Sequence, residues 1–100
     1  MRQDIRKRLI EAAKKGEVVF YRDWGIGRGR AAGKILGEIS EYEHRQGRPL
    51  LSAIVVSKAT GMPAGGFWGI SPIPGNLTDK QRPVFWANEL AKVINYWQAH

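Results

Sequence analysis

Three stretches with apolar residues at three- and four-residue steps, two short runs rich in β-branched residues between them, and one long glycine–proline stretch predict an α+β domain. It should hold about three helices and a small sheet. One hundred residues with 43% apolar content suffice for one core spanning 1–100. No repeat, low-complexity tract or domain boundary divides the chain.

The first helix is carried by Ile5, Leu9, Ala12 and Ala13, with Ile10 at the edge of the stripe and Gly16 as the stop. Its polar face holds Arg2, Arg6, Arg8 and Lys15. The stripe is narrow and lacks aromatic residues, which favours packing on the core over lying on anionic lipid. Glu17–Tyr21 (EVVFY) reads as a strand. In Arg22–Arg30 (RDWGIGRGR) glycines alternate with other residues, which disfavours a helix. The string has neither the Lys-Ser/Thr end of a P-loop nor the full glycine spacing of a dinucleotide fold. It reads as a solvated loop whose arginines can reach phosphates.

In the central helix Ala32, Ile35, Leu36, Ile39 and Tyr42 share one face, opposite Arg30, Lys34, Glu38, Glu41 and Arg45. The helix should end near Arg45, because Gly47 can take a left-handed cap and Pro49 cannot continue it. Leu50–Ser57 then has apolar residues on both alternating faces, the pattern of a short buried strand. Gly33, Gly37, Ser40 and His44 line one stripe of the helix. Each interior glycine costs about 1 kcal/mol relative to alanine, so a close neighbour is expected there. That neighbour is backbone of the same domain or, alternatively, a ligand. Glu43, His44, Arg48 and Ser52 are near enough in sequence to compose an acid–base site with His44 as general base.

Lys58–Leu77 (KATGMPAGGFWGISPIPGNL) should lack regular structure, because five of its residues are glycine and three are proline. Met62, Phe67, Trp68, Ile70 and Ile73 are interleaved with them. These side chains either tuck the loop onto the core or offer a surface on which Phe67 and Trp68 anchor a partner. Trp68, set among glycines, should be more exposed than Trp86 or Trp97, which lie on a helical stripe. The last helix should start near Pro83, or just after a capping box made by Thr78 and Gln81. Trp86, Leu90, Val93, Ile94 and Trp97 form its buried stripe, and Lys92 faces water.

The chain carries a net charge of +7, with a sequence pI of about 10.2. Arg2, Arg6, Lys7, Arg8, Lys14, Lys15, Arg22, Arg28, Arg30 and Lys34 concentrate that charge in the first half. Such a field suits a polyanion, foremost double-stranded DNA. With no cysteine, disulfides, thiolate zinc sites and thiol nucleophiles are excluded, and a reducing compartment fits. No cofactor or metal is implied. No stretch reads as a signal peptide or is long enough to span a bilayer, so a cytoplasmic protein without a membrane partner is expected.

The order helix, strand, basic loop with helix, strand and glycine-rich loop resembles a winged helix. It is similar to the DNA-binding domain of the alkylguanine-DNA alkyltransferase and alkyltransferase-like family. Gly16–Tyr21 (GEVVFY) matches that family's GxVxxY strand, and Arg30-Ala31-Ala32-Gly33 matches its R-A-x-G motif on the recognition helix. The resemblance implies that Arg30 enters the base stack. The family's reactive P-C-H-R motif is absent, and Val55-Val56-Ser57-Lys58 stands near its place, so alkyl transfer is excluded. The segment Leu36–Val56 followed by GMPAGGFW also resembles a small bacterial and phage-borne protein group. That likeness implies a bacterial or phage setting and no particular chemistry.

The leading expectation is therefore a non-enzymatic, winged-helix-like DNA-binding module using Arg22, Arg28, Arg30 and Lys34. The alternatives are a protein-binding accessory or inhibitor using Phe67 and Trp68, and a small hydrolase using Glu43, His44, Arg48 and Ser52.

Overall fold

In a computed structural model, described for residues 1–24 and 30–100, three helices enclose a two-stranded sheet. The elements are α1 (Gln3–Lys14), β1 (Val19–Phe20), α2 (Arg30–Arg45), β2 (Val55–Val56) and α3 (Gln81–Ala99). Short 3-10 turns occupy Tyr21–Trp24, Leu51–Ile54 and Gly65–Gly69. The side chains of Trp24 and Arg30 lie outside the description.

Both expected helix stops are built from glycine. Gly16 has φ +70° and Gly47 φ +75°, values that cost glycine nothing sterically. The amides of Gly16 and Glu17 donate to the carbonyls of Ala13 and Ala12, and those of Gly47 and Arg48 to His44 and Glu43. Each is a Schellman arrangement, satisfying carbonyls that the helix end leaves free. At α3 the capping box forms: the Gln81 amide donates to Thr78 Oγ1, and the Thr78 amide to Gln81 Oε1. Pro83 therefore lies inside the first turn rather than opening the helix.

The core joins Ile5, Leu9 and Ala13 of α1 to Ala32, Leu36 and Ile39 of α2, Val93 of α3 and the buried segment Leu50–Val56. That segment departs from the strand expected of it. Leu51–Ile54 is a 3-10 turn and only Val55–Val56 extends, pairing parallel with β1 in the register Val19↔Val55 and Phe20↔Val56. The reason lies in its backbone partners. The Ser52 amide donates to Ser40 Oγ, the Leu50 amide to Glu89, and the Ala53 carbonyl accepts from Trp86 Nε1 at 2.8 Å. Side chains from two helices supply the bonds a longer sheet would have supplied. An apolar run cannot distinguish a buried strand from a buried turn by periodicity alone.

The expected strand Glu17–Tyr21 is likewise reduced to Val19–Phe20, and Tyr21 begins a 3-10 turn. The stretch Lys58–Leu77 is not devoid of regular structure, since Gly65–Gly69 closes a 3-10 turn that carries Phe67 into the core. Among the described residues the sheet is this parallel pair, with α2 as the connection, and the wing position after β2 is filled by turns and bends. No helix of the described residues is long and apolar enough to cross a membrane.

Candidate functional site

Parallel strands leave their carboxyl ends on one side, which is where open α/β sheets collect their ligands. Here Tyr21 and Arg22 follow β1, and Ser57 and Lys58 follow β2. A cavity of about 740 Å³ opens beside all four. Its floor is α2, through Ala32, Gly33, Leu36 and Gly37, and its far wall is Gly66, Phe67 and Ile70. Ser52 closes the buried side.

The helix glycines divide into two kinds. A Cβ on Gly66 would stand 3.2 Å from the Cα of Gly33, so the 3-10 turn approaches α2 backbone to backbone. This is the neighbour expected on the glycine stripe. At Gly37 an added Cβ would meet nothing within 4 Å among the described residues, although the residue lines the cavity. The close approach therefore requires glycine at 66, a Cβ on Gly33 would make an ordinary 3.8 Å contact with Gly66, and among the described residues nothing covers Gly37.

Among the described residues the polar side chains lining the cavity are the hydroxyls of Tyr21, Ser52 and Ser57 and the cations Arg22 and Lys58. Arg22 is exposed, and Lys58 Nζ lies 3.4 Å from Asp23 and 5.1 Å from the centre of the Phe20 ring. Tyr21 Oη accepts the Ala64 amide at 3.0 Å; burial raises the Tyr21 pKa, and this hydrogen bond opposes the rise. Ser40 Oγ accepts the Ser52 amide and donates to Ser52 Oγ at 2.6 Å, which leaves the Ser52 hydroxyl proton without that neighbour. Among the described residues no carboxylate lines the cavity.

The far end of α2 carries a different arrangement. Glu43 is wholly buried, with Arg6 Nε at 2.5 Å from Oε1 and Arg48 Nε bonded to Oε2. The Schellman turn brings Arg48 back over Glu43, so an ion pair stands where such turns usually have a hydrophobic contact. Both guanidiniums lie 5.2–6.0 Å from the ring centres of Tyr42 and Trp97. The hydrogen bond to Glu43 raises the Arg48 pKa further. Arg6, expected on the polar face of α1, is thus a half-buried partner of Glu43, joining α1 to α2.

Of the four residues of the hydrolase reading, Glu43 and Arg48 are bonded to each other. Both Glu43 oxygens are bonded to arginines, and Ser52 is bonded to Ser40. His44 is exposed, and no hydrogen bond described for the structure joins it to Glu43 or Ser52. No group of three or more potential metal ligands occurs among the described residues.

Of the residues expected at a DNA surface, Arg22 reaches the cavity rim and Lys34 is exposed on α2. Arg30 opens the helix, and Arg28 lies outside the described residues. Phe67 is 4% exposed and belongs to the core. Trp68 is half-buried, as are Trp86 and Trp97, so it is not set apart by exposure. It packs edge-on to Phe67, with ring centres 5.0 Å apart, and Arg82 lies 5.2 Å from its ring centre. Sequence reasoning missed Tyr21 and Lys58 as site residues; the available signal was their position just after two β-branched runs.

No protein-family model, curated protein or solved structure matches the chain. The likeness to the alkyltransferase domain accordingly rests on the order of elements and the short matches Gly16–Tyr21 and Arg30–Gly33.

Proposed function

We propose that the chain is a non-enzymatic module that binds double-stranded DNA with the N-terminal half of α2, in the manner of a winged-helix-like domain. The observation that supports this is the distribution of charge along α2. Its first turn has no acidic residue, and Arg22, Lys34 and Lys58 stand exposed around that half of the helix. The acidic residues Glu38, Glu41 and Glu43 come later, and Glu43 is enclosed by arginines. The positive end of the helix dipole adds to the same field. Cations of this kind contact phosphates, which gives affinity rather than sequence preference.

The test is a salt titration of binding to a short labelled duplex. About four phosphate contacts should give a log–log slope of roughly −3 to −4. Arg30→Ala with Lys34→Ala should flatten the slope by about two contacts' worth. Arg45→Ala, at the exposed far end of the same helix, should leave it unchanged. Equal losses from both ends, or binding without salt dependence, would overturn the proposal.

A protein-binding role is favoured by one feature. Val84 is 62% exposed in the first turns of α3, next to Phe85, which packs with Trp68 at 6.2 Å between ring centres. On that reading Val84→Glu, and not Lys34→Ala, would release a co-purifying partner.

A further inference from the structure

We infer that the cavity at the carboxyl ends of β1 and β2 is a binding site for a small organic anion with a flat apolar body. This goes beyond the DNA reading and does not depend on it.

Three observations converge. The first is volume: about 740 Å³ lies within the range that small-molecule sites occupy. The second is Gly37. A helix-interior glycine is unfavourable by about 1 kcal/mol against alanine, and among the described residues no atom approaches closely enough to require it. Any larger side chain at that position would project into the cavity. Gly33 differs in being covered, since a Cβ there would rest 3.8 Å from the Cα of Gly66.

The third is the chemistry of the wall. Ala32, Leu36, Phe67 and Ile70 provide apolar surface on two sides, which suits a flat body lying over the bare backbone of α2. Arg22 and Lys58 stand at the rim, and no carboxylate among the described residues faces inward to oppose an anion. An anionic head would displace Asp23 from its 3.4 Å contact with Lys58. That exposed pair is weak, so the exchange is nearly free of penalty. A cation would meet two positive charges, and a neutral hydrocarbon would leave them unused.

The probes are 1-naphthoate and its neutral relative 1-naphthalenemethanol, each titrated into the ¹⁵N-labelled full chain and followed by amide shifts. Naphthoate should move the amides of Gly33, Gly37 and Gly66 together along one saturable curve. The alcohol should bind about fivefold or more weakly, as loss of a charge-assisted contact implies. Gly37→Leu should keep its helix content and melting temperature while weakening naphthoate at least about tenfold, because it fills the site from an open position. Should Gly37→Leu fail to fold, Gly37→Ala is expected to fold and to weaken naphthoate by a smaller factor. Arg22→Ala with Lys58→Ala should weaken naphthoate several-fold and leave the alcohol unchanged. Equal affinity for the two probes, or undiminished naphthoate binding to a folded Gly37 variant, would overturn the inference. Neither result bears on the salt slope with DNA, so the two proposals fail separately.

Discussion

The two ends of α2 use charge in opposite ways. At the C-terminal end Glu43 is wholly buried, both of its oxygens are bonded to guanidiniums, and Tyr42 and Trp97 cover the assembly. At the N-terminal end Arg22, Lys34 and Lys58 are exposed, and a cavity opens beside Gly33 and Gly37. The first end is satisfied internally and joins α1, α2 and the turn at Gly47. The second has exposed cations beside an open cavity, and Lys58 among them is held only by a surface pair with Asp23. The difference teaches that charge alone does not mark a site. Arg6 and Arg22 look alike in sequence, yet one is closed into an ion pair and the other faces water.

The sharpest way to break this contrast is Glu43→Ala. It leaves Arg6 and Arg48 facing each other without a counter-charge, and breaking a buried pair in this way costs about 3–5 kcal/mol. Because Arg6 and Arg48 keep some solvent contact, the lower part of that range is expected by urea denaturation. A loss as small as that of a surface substitution would mean that the two ends of α2 are not distinct.

Gly66→Ala comes next. Its Cβ would stand 3.2 Å from backbone that cannot easily retreat, so a loss of about 1–2 kcal/mol is expected from overpacking. Gly37→Ala should move the other way and stabilise the fold by up to about 1 kcal/mol, since its Cβ meets nothing. Opposite signs at these two glycines, read from melting temperatures, would separate the covered part of the helix from the open part. Equal signs would merge them.

A smaller effect belongs to Tyr21. Burial raises its pKa above the usual phenol value of 10.0. The folded state then holds the proton to higher pH than the unfolded chain does. The stability this gives is complete below pH 10 and is lost as pH rises through the folded-state value. Absorbance titration near the tyrosinate band should show a late-titrating component among the three tyrosines, absent in Tyr21→Phe.

At the exposed N-terminus of α1, Arg2 donates to Asp4 at 2.8 Å and holds its carboxyl down to about 2. The contribution of that pair is present above the ordinary carboxylate range and disappears as pH falls through that value. Asp4→Asn should therefore change stability little at neutral pH, because exposed pairs contribute little.

What the sequence determined by itself was local. The stripes Ile5–Leu9–Ala13 and Leu36–Ile39, the stops at Gly16 and Gly47 and the Thr78–Gln81 box each depend on residues within a turn or two of one another. Periodicity and capping chemistry are therefore enough to place three helices. The tertiary structure decided the rest. Leu50–Val56 is mostly a turn because Ser40, Trp86 and Glu89, far away in sequence, take its backbone bonds. The strands run parallel because α2 lies between them as the connection. Arg6 finds Glu43 across 37 residues, and Phe67 is drawn inward from a loop that could equally have displayed it. The two glycines one helical turn apart, Gly33 covered and Gly37 open, are indistinguishable in sequence. Whether a bare stretch of helix meets backbone or empty space depends on where another segment passes, and no local pattern encodes that.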